Sequence, residues 1–188
     1  MSLKEYIFSL RRFILVAFLV FVAAIFLGYF SAQSSPEDAE IVLEQLRETL
    51  EPITEMPSFG QFLIIFLNNG ITAFLAVILG LIFGIFPFLV LLSNGSMLGI
   101  ILYFAQARND WSTISVLILP HGIFEILAVI LACAVGFKLG RIILERIFKK
   151  EVSIKTELNI ALSFFLKFLF PLLALAAIIE VFLIGEFL

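Results

Sequence analysis

Charged residues are scarce in this chain. Its 188 residues hold 12 lysines and arginines and 15 aspartates and glutamates, against 62% hydrophobic residues. The mean hydropathy is +1.17. A soluble fold of this length lacks the polar surface to cover so much apolar material and is excluded. Cysteine occurs once, as Cys133 inside an apolar run. That excludes an intrachain disulfide and makes Cys133 a small buried hydrophobe. Histidine also occurs once, as His121. One histidine excludes the HExxH pattern, and no serine–histidine–acid set has a spacing that argues for itself. Neither catalytic residues, nor a metal site, nor a cofactor is expected, and the chain reads as a non-enzyme. Nucleic acid is not an expected partner either, because no DNA-binding motif accompanies the basic residues.

What the chain does have is length without charge. Apolar runs fall at about 13–31, 60–84, 86–106, 112–137 and 159–184. Each suits a helix crossing ~30 Å of hydrocarbon at ~1.5 Å per residue. The first run exceeds a signal-peptide core, and "GYFSA" is a poor cleavage site, so it reads as a retained span. The "GIFPF" stretch supplies a tight turn between the second and third spans, with Gly84 as a cap and Pro87 opening the next helix. The expected fold class is all-α: a single polytopic membrane domain of five transmembrane helices in the plasma membrane.

Charge distribution sets the expected orientation. Lys4, Arg11 and Arg12 precede the first span, which places the N-terminus in the cytoplasm. The connector at 138–157 carries Lys138, Arg141, Arg146, Lys149, Lys150 and Lys155 and reads as cytoplasmic, drawn to anionic lipid. An even number of spans must then precede it, which fits four. The first connector lies outside under this parity. It reads "SSPEDAEIVLEQLRETLEPITEMPS", with seven acids and one base, Arg47. Ser35 as N-cap, Pro36 in the first turn and acids behind it predict a short extracytoplasmic amphipathic helix at about 36–54. Trp111, after "ARND", reads as a belt aromatic at the membrane interface.

Helix rise converts position into depth from the cytoplasmic end of each span. Asn69 then lies ~22 Å in, Asn94 ~12 Å, His121 ~24 Å, Glu125 ~18 Å and Lys167 ~12 Å. Three spans thus bring "LNNG", "LSNGS" and "PHGIFE" into one polar layer within the hydrocarbon. An ionisable side chain there costs at least ~3 kcal/mol and must find protein, water or a partner. His121 and Glu125 are four residues apart on one helix face. They read in three ways: a structural pair, an ion or solute site, or a metal-binding or catalytic pair. Lys167 either snorkels to the cytoplasmic face or pairs with Glu125. Glu180 and Glu186 read as interfacial. Gly95, Pro120 and Gly122 shape the helices beside these residues, and Pro120 frees the Val116 carbonyl. The pairs Gly80/Gly84, Gly95/Gly99 and Gly136/Gly140 permit close helix approach, chiefly within the chain, and leave room for a homodimer.

On "NNG", "SNGSMLG" and "LPHGIFE" the sequence resembles the stage II sporulation protein M family. The likeness runs from about Leu3 to Gly185. By it, Asn69, Asn94, Gly95, Pro120, His121, Gly122 and Glu125 are the positions to carry over. The resemblance implies a membrane component that acts with cell-wall hydrolases and is not itself the hydrolase. An anchor or scaffold for protein partners in the envelope is the expectation. A transporter or channel-like protein using the polar layer is the alternative.

Overall fold

The computed structural model describes residues 3–109, 119–148 and 152–187, with side chains for 4–109, 122–148 and 152–182. Every regular element among them is helical. Helix α1 is Leu3–Ser34, α2 is Pro36–Thr54 and α3 is Ser58–Ile78, which tightens into a 3-10 turn at Leu79–Leu81. Helix α4 is Ile85–Arg108 and α5 is Leu119–Ile147. Helix α6, Ile154–Phe164, passes through a π turn at Phe165–Leu169 into α7, Phe170–Phe187. Five helical rods among the described residues are long and apolar enough to span a membrane. Trp111, Lys149 and Lys150 lie outside the described residues, as do the side chains of Pro120, His121 and Glu186.

Helix α5 is the hub. In its most apolar stretch 67% of residues are buried, against 22–33% in the other four rods. Every residue from Ala128 to Val135 is buried, Cys133 included. A helix apolar on all sides belongs at such a centre. The outer rods instead expose large apolar side chains, such as Phe18, Leu27, Leu67, Ile71 and Leu89. Lipid is the solvent that tolerates that surface.

Glycines set how closely the rods approach. On the α1–α4 seam, a Cβ on Gly95 would stand 2.6 Å from the Ala24 Cβ, and one on Gly28 or Gly99 would strike the backbone opposite. Ser96 Oγ crosses the same seam, donating to the Ala24 carbonyl at 3.3 Å. On the α3–α5 seam, Gly80 faces Gly136, and a Cβ on Gly140 would stand 2.6 Å from the Gly84 nitrogen. All three glycine pairs are therefore used inside the chain. Gly84 also turns the backbone between α3 and α4 at φ +75°, a conformation that glycine adopts without strain.

Two spans run beyond their apolar stretches. The stretch before residue 13 is helical and continuous with the first span. Helix α5 runs on to Ile147, carrying the fourth span into the basic connector as the helical spacing of its apolar and basic residues leads one to expect. Leu139 and Ile142 keep that segment buried on one side. Arg141 and Glu145 pair at 2.8 Å across one turn on the other.

Helix α2 lies against the opposite end of the bundle. Ala39 is buried there, and Leu43 packs with Ala32, Phe104 and Ile100. Arg108 at the end of α4 reaches Glu40 at 2.7 Å. Gln61, only 6% exposed, donates to the carbonyls of Thr54 and Met56 at 3.0 and 2.9 Å. Those bonds satisfy acceptors that the end of α2 would otherwise leave open. The remaining acids of α2 face outward.

Candidate functional site

Helices α3 and α4 are joined by the Gly84 turn, and their middles carry the "LNNG" and "LSNGS" segments. An open cleft of about 340 Å³ lies between them, lined by Asn68, Asn69, Thr72, Ser93, Asn94 and the apolar Leu89, Val90 and Val129. Both asparagines expected from the sequence therefore line one space. Thr72 was not foreseen, although it follows Asn68 by four residues and so shares its face.

A chain of amides leads from the cleft towards the hub. Asn68 Nδ2 points to Asn69 Oδ1 at 3.4 Å. Asn69 in turn lies beside the Glu125 carboxyl, within reach of its side-chain amide. Glu180 of α7 stands near enough to Glu125 to feel its charge. Glu180, which sequence reasoning puts near the outer end of the fifth span, is partly buried on that side of the rod. Asn94 Nδ2 donates to the Val90 carbonyl one turn back, at 2.8 Å. That bond holds Asn94 against its own helix and leaves the rest of the amide facing the cleft.

Lys167 does not join this group. It is exposed, within the π turn that links α6 to α7. Glu180, the α7 residue that does approach Glu125, lies about 20 Å further along the rod. Of the two readings of Lys167, its exposure does not fit pairing with Glu125, and the residue of this rod that approaches Glu125 is Glu180. Gly95 is buried on the α1 side of α4, so it serves packing and not the cleft. Gly122 is buried at the start of α5. The His121 side chain lies outside the described residues, and the His121–Glu125 pair is not placed.

A second polar cluster is not evident from the sequence. Near the basic end of the bundle, Lys138 of α5 pairs with Glu157 of α6 at 2.9 Å. Its ammonium also lies 3.4 Å from Ser9 Oγ and 4.6 Å from the centre of the Tyr6 ring, both of α1. The sequence groups Lys138 with the lipid-facing bases, yet its side chain is only 14% exposed. The available signal is Glu157, an acid at the start of the fifth span beside a basic connector.

Chemically, the first group offers neutral donors and acceptors at mid-depth with two carboxyls behind them. Such a set can hold a cation, a proton or the polar groups of another helix. Among the described residues no three His, Cys, Asp or Glu side chains are placed to hold a metal ion.

Comparison with known proteins gives these features a family. The chain is 35% identical over 92 residues to an uncharacterized protein of Methanocaldococcus jannaschii. That match covers 48% of this chain and 52% of the relative, so the chain spans about half the length of the curated relative it matches. No solved structure matches. The sequence profile described as stage II sporulation protein M matches residues 17–183, which run from within α1 to near the end of α7 and include the cleft and both glutamates behind it. The chain belongs to the stage II sporulation protein M family.

Proposed function

We propose that this protein is a non-enzymatic anchor or scaffold for an envelope-remodelling assembly at the plasma membrane. In this reading the N-terminus and the basic end face the cytoplasm, and α2 faces outward to meet protein partners. The observation that carries the proposal is the way α2 is held. Glu40–Arg108, buried Ala39 and the Gln61 clamp fix one side of the helix to the bundle. Next to Glu40, and turned away from the buried Ala39 and from Leu43, the helix presents Glu44, Glu48 and Glu51, all exposed. A rigidly mounted acidic face suits recognition of a basic partner surface. Crosslinking and pull-down of wild type and a Glu44→Lys, Glu48→Lys, Glu51→Lys variant tests it. Loss of the crosslinked partners is expected, and an unchanged partner set removes α2 from the account.

A second reading, transport of an ion, proton or small solute, is favoured by Asn68 and Asn69 lining the cleft with Glu125 beside them. Transporters build sites from polar groups at mid-depth. Flux into liposomes that falls in both Asn69→Leu and Glu125→Gln would support it. Absence of flux in the wild type would end it.

A further inference from the structure

We infer that the α3–α4 face bearing the polar cleft is the seat of a second copy of this chain, related by a two-fold axis along the membrane normal. Asn68, Ser93 and Asn94 are exposed on this face, midway along their spans. Exposed Leu67, Ile71 and Leu89 flank them, as on any lipid-facing surface. Leucines are at home in hydrocarbon and asparagine amides are not, because each amide left without a partner there costs free energy. Something polar must therefore cover the cleft at that depth.

The chemistry of the face selects the occupant. Every side chain lining the cleft is neutral. Asparagine carries donors and an acceptor on one amide, and serine and threonine do the same on one hydroxyl. Such a face matches itself, whereas a face of carboxylates or ammonium groups would repel its own copy. A two-fold axis along the membrane normal also returns each group at its own depth, so amide meets amide and leucine meets leucine. The other usual seat for helix association is already taken: Gly80, Gly95, Gly99, Gly136 and Gly140 are closed over by helices of the same chain. Among the described residues, the polar face, with the open Gly70 beside it, is then the surface best suited to join two copies. This inference does not rest on the scaffold reading.

The test uses the full chain with Cys133→Ala, so that each added cysteine is the only one. Copies carrying Ser93→Cys are oxidised in native membranes beside copies carrying Phe18→Cys, an exposed residue of α1. Disulfide-linked homodimer from Ser93→Cys and none from Phe18→Cys is expected. Equal yields from both, or a Ser93→Cys product joined to a different protein, would overturn the inference. Photobleaching of single labelled molecules in dilute proteoliposomes gives the second reading. Two steps are expected for the parent, and one for an Asn68→Leu, Ser93→Ala, Asn94→Leu variant, with association weakened roughly tenfold or more. A parent that bleaches in one step at every lipid dilution points to a solute or lipid in the cleft and overturns the inference. A variant as dimeric as the parent also overturns it.

Discussion

Two polar regions among the described residues are built in opposite ways. Around Lys138 an ammonium, a carboxylate, a hydroxyl and an aromatic ring from α1, α5 and α6 close on one another. Between α3 and α4, neutral amides and hydroxyls at mid-depth remain open to the exterior. Full charges in a poorly solvated place must be paired on the spot, because an unpaired one is costly. Neutral amides lose less when exposed to lipid, so they can wait for an external partner. Closure marks a structural lock, and openness marks a surface meant to meet something.

Each side of that contrast can be broken separately. The largest effect comes from parting the helices beneath both regions. Gly136→Leu drives a side chain into the Ala76 carbonyl and against the Pro87 ring. Loss of monodisperse protein in detergent chromatography is the expected outcome. Next is Lys138→Met, which leaves Glu157 without its cation. A loss of roughly 2–3 kcal/mol is expected in thermal unfolding, below the range for fully buried pairs because Glu157 is partly exposed. Adding Glu157→Leu should restore most of it. A smaller change is expected for Arg108→Ala at the α2 end. Both partners of that pair are more than half exposed, so its loss costs under about 1 kcal/mol.

Much of the fold was legible because membrane spans write their length and their turns directly into the sequence. The five rods, the Gly84 turn and the glycine seams follow from apolar runs and small-residue spacing. So does the meeting of "LNNG" with "LSNGS", since two helices joined by a tight turn must lie side by side. Direction around the rods was harder to read. Counting residues gives depth along a helix, but the face a residue presents depends on an unbroken helical repeat. The π turn at Phe165–Leu169 inserts an extra residue and rotates the rest of the rod by about 100°. Lys167 inside it is exposed, and Glu180 beyond it comes within range of the Glu125 charge. The Lys138 cluster was hidden for a related reason. Tyr6, Ser9 and Glu157 come from distant segments, and only the packing of α1 and α6 on α5 brings them to one ammonium.

The contrast between a closed lock and an open face is tested most directly by unfolding two single variants side by side. Asn94→Leu and Lys138→Met each replace a polar side chain in a span with an apolar one, and both can be followed as monomers in the same detergent. Asn94→Leu should unfold within about 0.5 kcal/mol of wild type, because its amide faces outward. Lys138→Met should fall by several times that amount. Equal losses in the two variants would contradict the account, since Asn94 would then belong to the fold's own interior network.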